Sequence, residues 1–148
     1  MVIGIFGISC TGKSSIANEI SNRINATIFT GKDYLRLVKN EADAKKGFIE
    51  LLTESIDSDK NVIYVISEME HLSLLPDKAL RIFTTADLDV IKERFSKRMN
   101  GVLPPPVAVM LESKYDMFAN ERYDVKIDTS TESAVENCNK ILKHFDMQ

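Results

Sequence analysis

Residues 7–14 combine residue types at a spacing suited to phosphate chemistry. They read Gly-Ile-Ser-Cys-Thr-Gly-Lys-Ser, which is the pattern G-x-x-x-x-G-K-S. Gly7 and Gly12 permit backbone conformations that bring main-chain N–H groups around an anion. The Lys13 ammonium can reach the outer phosphates of a nucleoside triphosphate, and the Ser14 hydroxyl can ligate Mg²⁺. The pattern therefore predicts a phosphate-binding loop, with a glycine-rich turn that binds nothing as the alternative.

The segments on either side of this loop support the prediction. The apolar, β-branched run Val2–Phe6 precedes it, and apolar residues at helical spacing over 13–24 follow it. A helix beginning near Lys13 would direct the positive end of its dipole at the bound phosphate. We expect the nucleotide to contact the following residues of the loop and its first helical turn: Gly7, Ser9, Cys10, Thr11, Gly12, Lys13, Ser14 and Ser15.

The rest of the chain alternates predicted strands with predicted helices, which indicates right-handed βαβ units and a parallel sheet. Such sheets bind ligands at the carboxyl ends of their strands. Asp33, Glu68 and Asp128 each follow a predicted strand and should meet the loop there. The predicted strands are 26–30, 61–67, 79–84 and 123–127; the predicted helices are 32–40, 42–57, 86–99 and 106–119, with a last helix opened by a capping box at 129–132.

Length and composition restrict the function classes. The 148 residues fit a single domain over 1–148, and the net charge of −3 argues against a general binder of nucleic acid polymers or membrane surfaces. No run approaches the ~20 apolar residues of a membrane helix. Cys10 and Cys138 lack metal-ligand spacing, and free thiols favour a cytoplasmic location. Nothing in the sequence indicates the oligomeric state.

The chain resembles the small P-loop kinases, such as adenylate, shikimate and gluconate kinases, over nearly its whole length. The resemblance rests on the loop, on the segments 30–36 and 123–130, and on the pair Arg94-x-x-x-Arg98. It implies a three-layer α/β P-loop NTPase fold, with a five-stranded parallel sheet of order 2-3-1-4-5 and helices on both faces. It also implies acceptor-binding helices over about 32–60, a lid over about 99–115, and the use of ATP and Mg²⁺.

The resemblance suggests roles for charged residues outside the loop. Arg94 would lie near the adenine and Arg98 would contact the transferring phosphate, although a solvated basic helix face is the alternative. Asp33 would orient or deprotonate the acceptor hydroxyl, and capping a helix is its alternative role. Arg36 resembles the arginine that grips an acceptor phosphate in adenylate kinase. His71 is predicted to be a surface residue.

Residues after the third and fifth predicted strands are assigned to the metal ion and to the adenine. Glu68 follows a buried strand and would hold a water of the Mg²⁺ shell. Asp128 and Thr129 resemble the loop that passes the adenine edge, and a helix cap is the competing interpretation. Adenylate kinase's Asp-Gly-Phe-Pro-Arg is replaced by Ser-Glu-Met-Glu-His at 67–71, so the acceptor is not identified.

We interpret the chain as a kinase that moves the γ-phosphoryl group of ATP to a small-molecule acceptor. A nucleoside monophosphate kinase, with Arg36 as its phosphate clamp, is one alternative. A non-catalytic nucleotide-binding regulatory module is the other. A regulatory GTPase is disfavoured because the guanine-reading Asn-Lys-x-Asp is missing: Asn139-Lys140 continues with two apolar residues.

Overall fold

Five parallel strands form one sheet in the order β2-β3-β1-β4-β5 in the computed structural model, which describes residues 1–146. The predicted strand order and α/β class are confirmed. Because β1 lies at the centre of the sheet, the loop that follows it emerges between its two neighbours, β3 and β4. The strands are β1 (Val2–Phe6), β2 (Thr27–Thr30), β3 (Val62–Ile66), β4 (Leu80–Thr85) and β5 (Val125–Asp128).

Helices cover both faces of the sheet. The core on one face is built from α1, α6 and strand residues such as Ile3 and Ile5. The core on the other face packs α2, α3, α4 and α5 against strand residues such as Val2 and Phe6. The helices are α1 (Lys13–Ile24), α2 (Glu41–Ser55), α3 (Met69–Leu72), α4 (Leu88–Arg98), α5 (Pro105–Lys114) and α6 (Ala134–His144), with a short 3₁₀ helix at Asp33–Arg36.

The capping box predicted at 129–132 is wrong. The last helix begins at Ala134, and Ser133 and Glu136 form the capping box instead. The Ser133 hydroxyl accepts from the Glu136 N–H at 3.1 Å. Thr129 does not cap, since it is buried and hydrogen-bonded to the phosphate-loop segment.

Element ends differ from the predictions elsewhere as well. The expected helix over 32–40 is reduced to the 3₁₀ helix, α5 ends at Lys114 rather than 119, and β5 begins at Val125 rather than 123. The short helix α3 was not predicted. Within residues 1–146, none of the helices has the length and apolar character needed to cross a membrane.

Candidate active site

The loop at the end of β1 adopts backbone conformations that its glycines make possible. Gly12 has a φ of +85°, in the left-handed region, and α1 begins at the next residue. A Cβ at Gly7 would lie 2.4 Å from the carbonyl oxygen of Thr84, so any side chain there would push β1 away from β4. Cys10 also has a positive φ, 65°, which is uncommon for a residue with a side chain. The backbone is thus folded into the concave form that the sequence pattern predicts.

Lys13 lies inside this loop and is only 6% exposed. Its ammonium group donates to the carbonyl oxygen of Ile8 at 2.6 Å. The pKa of Lys13 is lowered from 10.5 to about 8, chiefly by burial and to a smaller extent by the positive charge of Arg98, while Cys10 acts in the opposite direction. A buried cation with one carbonyl partner is a favourable place for an anion, because the anion would supply the missing counter-charge.

Hydrogen bonds from the side chains of three threonines hold the loop in place. The hydroxyls of Thr11 and Thr84 lie 2.8 Å apart, and the Thr11 hydroxyl also donates to the Ile8 carbonyl at 2.9 Å. The Thr129 hydroxyl donates to the Thr11 carbonyl at 2.9 Å. All three side chains are buried, so these bonds are shielded from water and hold the loop between β4 and the end of β5.

Arg94 on α4 ties the loop to the segment that follows β5. Its Nη1 donates to the Cys10 carbonyl at 3.0 Å and to the Thr129 hydroxyl at 2.9 Å. Its Nη2 donates to the Thr129 carbonyl at 2.6 Å. The guanidinium fork is therefore engaged by the protein itself, which makes Arg94 a brace for the loop as well as part of the pocket wall.

Two adjoining pockets flank the loop and share a wall. The smaller, of about 120 Å³, is lined by Ser9, Cys10, Gly12, Lys13, Ser14, Ser15, Thr30, Val65, Ser67 and Arg98. We call it the phosphate pocket. The larger, of about 380 Å³, is lined by Cys10, Gly12, Ser15, Ile16, Arg94, Lys97, Arg98, Thr129, Glu132, Ala134 and Asn137. We call it the side pocket. Arg98 lines both pockets.

Asp33 and Arg36 lie beside the phosphate pocket rather than in its wall. The Asp33 carboxylate accepts from the Thr30 N–H at 2.9 Å, and Thr30 lines that pocket. The same carboxylate pairs with Arg36 at 3.4 Å, and the Arg36 side chain is 76% exposed. Asp33 thus stabilises the turn after β2. It caps the end of the preceding strand and not the helix predicted over 32–40.

Glu68 is not brought to the phosphate pocket. It is exposed and pairs at 3.9 Å with Lys114 on α5. Ser67, which sequence reasoning passed over, takes the position next to the loop. Its signal was available, since it is the first residue after the buried strand β3. No group of three or more His, Cys, Asp or Glu within residues 1–146 is placed to hold a metal ion.

Asp128 and His71 have structural partners of their own. The Asp128 carboxylate accepts from the Ser130 N–H at 2.8 Å, and the hydrogen bonds from Ser130 lower the pKa of Asp128. The prediction of a surface position for His71 is wrong, since this residue is buried. Its ring lies edge-on to Tyr34 and beside Tyr64, because the short helix α3 turns it beneath β2.

The segment 99–115 contains a loop with unusual backbone angles followed by a packed helix. Asn100 and Gly101 have φ values of 62° and 87°. Beyond them, Leu111 on α5 is buried, and Glu112 pairs with Lys92 on α4 at 2.5 Å. The expected lid therefore divides into a short bend and a helix that packs on α4.

The whole chain is similar to solved structures of P-loop kinases. A tunicamycin resistance protein from Deinococcus radiodurans superposes with a TM-score of 0.73 at 18% identity, covering 99% of this chain and 96% of that one. The fold is that of the P-loop small-molecule kinases. Shikimate kinase from Acinetobacter baumannii in complex with shikimate gives 0.65 at 15% identity, covering 97% and 92%. A gluconokinase from Sinorhizobium meliloti 1021 gives 0.64 at 16%, covering 98% and 91%.

Sequence comparison adds no closer relative. No protein-family model matches the chain, and no curated protein matches it. At these identities the structural likeness confirms the fold that the motif resemblance implied. It does not assign roles to individual site residues.

Proposed function

We propose that the chain is a phosphotransferase that moves the γ-phosphoryl group of ATP, in the presence of Mg²⁺, to a small-molecule acceptor. One observation carries the proposal: Lys13, Ser14 and Arg98 line the same small pocket over a loop of phosphate-binding form. The kinase fold supports it, as do neighbours whose names describe kinases of sugars, gluconate and shikimate. Both cysteines are free, in keeping with the expected cytoplasmic location.

Phosphoryl transfer is mainly a matter of positioning and of stabilising charge on the moving group. The loop N–H groups and Lys13 would hold the β- and γ-phosphates. Arg98 makes no hydrogen bond or ion pair with any residue of the described chain, 1–146, so its guanidinium is available to a ligand. It would contact the transferring phosphoryl group, where a positive charge lowers the barrier most.

Ser14 is the residue that would hold Mg²⁺, together with the phosphates and water. The ion would neutralise charge on the β- and γ-phosphates. A hydroxyl suits this hard cation, which usually keeps several waters. Ser67 faces the same pocket and would bind one of those waters. Glu68 remains a prediction for that role and would have to leave Lys114 to perform it.

Asp33 is the proposed acceptor-side group. Its carboxylate is hydrogen-bonded to the backbone N–H of Thr30 at the edge of the phosphate pocket. It would orient or deprotonate the acceptor hydroxyl. We place the acceptor over residues 32–60 and keep 99–115 as the proposed lid. Nothing in the geometry of the exposed Arg36 favours a second phosphate there, so the nucleoside monophosphate kinase is not advanced.

The non-catalytic nucleotide-binding module has one observation in its favour. Among the described residues, none that lines the phosphate pocket carries a carboxylate, whereas Mg²⁺ sites in kinases commonly use one or two. Such a module would bind the triphosphate through Lys13 without transferring its γ-phosphoryl group.

The test is ATP turnover across a panel of nucleosides, nucleotides, sugar acids and antibiotics. Stimulation by one acceptor, lost in Lys13→Ala and in Arg98→Met but retained in Arg122→Met, whose arginine lines neither pocket, would support the kinase. Tight, Lys13-dependent binding with no acceptor-stimulated turnover would support the module instead. Turnover that survives Lys13→Ala in a folded protein would contradict both.

A further inference from the structure

Asn137 is a buried polar residue in the wall of the side pocket. It lies in the first turns of α6 and is only 1% exposed. Its Nδ2 faces the carbonyl oxygen of Glu132 at 3.5 Å, and its Oδ1 has no hydrogen-bond partner within residues 1–146. A carbonyl oxygen only accepts hydrogen bonds, so the atom facing Glu132 must be the amide nitrogen. The orientation of the amide therefore leaves Oδ1 as a buried acceptor without a partner among the described residues.

A second buried acceptor that has no partner in the described part of the chain lies in the same pocket wall. Oε2 of Glu132 is likewise buried without a partner, while Oε1 pairs with Lys140. Of the two arginines in the pocket wall, Arg94 already donates to Cys10 and Thr129, and Arg98 also lines the phosphate pocket. Buried acceptors without donors are costly, and they are rare in folded proteins. A ligand that brings an N–H donor would remove that cost.

The position of Asn137 relative to the loop identifies which part of a ligand would meet it. The side pocket and the phosphate pocket share Cys10, Gly12, Ser15 and Arg98. A nucleotide whose phosphates occupy the loop would therefore place its nucleoside in the side pocket. Asn137 and Glu132 belong to the side pocket alone.

We propose that Asn137 determines nucleobase specificity by accepting a hydrogen bond from an amino group on the base. The inference rests on the proposed nucleotide binding and adds the class of base to it. Adenine carries such a group at position 6 and guanine carries one at position 2. Hypoxanthine has neither, and at position 6 it presents an oxygen that would face acceptors. ITP is thus the matched probe for both purines.

The first experiment uses the native protein and measures Kd for ATP, GTP and ITP with Mg²⁺ by calorimetry. We expect ATP or GTP to bind at least about tenfold more tightly than ITP, since a site built to accept a hydrogen bond rejects the analogue that lacks the donor. The ATP-to-ITP ratio reports on the 6-amino group and the GTP-to-ITP ratio on the 2-amino group. Ratios near one for both pairs would overturn the proposal.

The second experiment assigns the discrimination to this side chain. Asn137→Leu keeps the approximate size but removes the acceptor, so the preferred nucleotide should lose about tenfold in affinity while ITP changes little. Asn139→Leu, on the exposed side of the same helix, is the control. It should preserve the ratio of the Kd values for ITP and the preferred nucleotide. If Asn137→Leu proves unstable, Asn137→Ala provides the same comparison. Unchanged discrimination in the folded variant would overturn the assignment.

The outcomes separate this inference from the proposed function. Equal, Lys13-dependent binding of all three triphosphates would remove the role of Asn137 and leave the kinase proposal intact. Absence of any Lys13-dependent triphosphate binding would overturn both. Discrimination lost only in Asn137→Leu supports the inference, whether or not an acceptor has been identified.

Discussion

Nη1 of Arg94 lies 3.0 Å from the carbonyl oxygen of Cys10. A side chain from α4 thereby holds the outer part of the loop that follows β1. Cys10 has a positive φ, so its peptide group is turned into a conformation that few residues with side chains adopt. The bidentate grip on Cys10 and Thr129 offsets the cost of that conformation. It also makes the loop shape depend on a residue more than eighty positions away.

Replacing this arginine by lysine should loosen the loop. Arg94→Lys keeps the charge but loses the forked geometry, and charge-assisted hydrogen bonds are worth about 1.5–3 kcal/mol each. We expect a lower free energy of unfolding by at least about 1 kcal/mol and weaker triphosphate binding, measured by chemical denaturation and calorimetry. Arg23→Lys, at an exposed hydrogen bond to Asn139, is the matched control. Equal losses in both variants would contradict a bracing role.

Arg98 should act on transfer more than on binding. Arg98→Met retains most of the side-chain bulk but removes the charge that lines the phosphate pocket. We expect kcat to fall by about 10²–10³-fold with the Kd for ATP changed less than tenfold, as for other donors that act on developing charge. Arg122→Met, whose arginine pairs with Asp77 at 3.7 Å and lines neither pocket, should keep its activity. A loss confined to ATP affinity would show that Arg98 only binds the nucleotide.

The buried ammonium of Lys13 should make stability depend on pH. Its pKa is about 8 in the folded protein against 10.5 as the ordinary value, so between these pH values the unfolded chain binds more protons. The contribution of Lys13 to stability therefore rises with pH across that window and is least favourable below pH 8. We expect Lys13→Met to be more stable than the native chain at neutral pH. This advantage should shrink as the pH approaches 10.5, as followed by chemical denaturation. A constant difference at all pH values would contradict this account.

The same group should link nucleotide binding to proton uptake. A triphosphate beside Lys13 favours its charged form, so binding above pH 8 must be accompanied by protonation. We expect the affinity for a non-hydrolysable ATP analogue to fall as the pH rises past 8, and the apparent binding enthalpy to vary with the ionisation enthalpy of the buffer. Lys13→Arg serves as the control, since an arginine stays charged over this pH range and no such dependence should remain in it. Buffer-independent enthalpies in the native protein would argue against protonation of Lys13 on binding.

Asp33→Asn distinguishes a catalytic role of the Asp33 carboxylate from a purely structural one. The amide oxygen can still accept from the Thr30 N–H, so the turn after β2 should persist. As an acceptor-side base, the carboxylate should be needed for transfer, and its loss should cost about 10²–10⁴-fold in rate with little change in ATP affinity. Full transferase activity in Asp33→Asn, once the acceptor is known, would mean that Asp33 only holds the turn.

The proposed lid can be followed by hydrogen exchange. The positive φ values of Asn100 and Gly101 mark a bend before α5, and the hinges of closing segments are a few loop residues of this kind, often small ones. We expect exchange over 99–115 to slow when an ATP analogue saturates the protein. Residues 41–55 of α2, which contribute nothing to the lining of either pocket beside the loop, provide the internal control. Equal exchange with and without the analogue would identify 99–115 as a fixed part of the fold.

Local patterns were sufficient to predict the α/β class and the loop, whereas the strand order was implied by the resemblance to the small P-loop kinases. The buried β-branched strands, the helix over 13–24 and the G-x-x-x-x-G-K-S spacing are short-range signals. Chain connectivity then restricts how parallel strands can be arranged. The same logic placed Arg94 and Arg98 on one helix face, which the structure confirms, since both line the side pocket.

Long-range contacts account for what the sequence did not reveal. Thr129-to-Glu132 has the spacing of a capping box, yet Thr129 is bound to Thr11 and Arg94 from other elements, and the helix starts later. Glu68 was predicted to hold a water of the Mg²⁺ shell because it follows a buried strand, but the structure pairs Glu68 with Lys114. The buried position of Asn137 could not be predicted from the sequence, because an asparagine in a helix is usually exposed to solvent.

The central strand β1 divides its side chains between the two faces of the sheet, with Ile3 and Ile5 packed against α1 and α6, and Val2 and Phe6 packed against the opposite helices. Neither helical layer can unfold alone, because its separation from β1 would expose the strand against which the other layer packs. The two layers should therefore unfold in a single cooperative transition. A cavity made in α6, for example at Ile141, would consequently reduce the fraction of molecules with an intact loop without touching the loop itself.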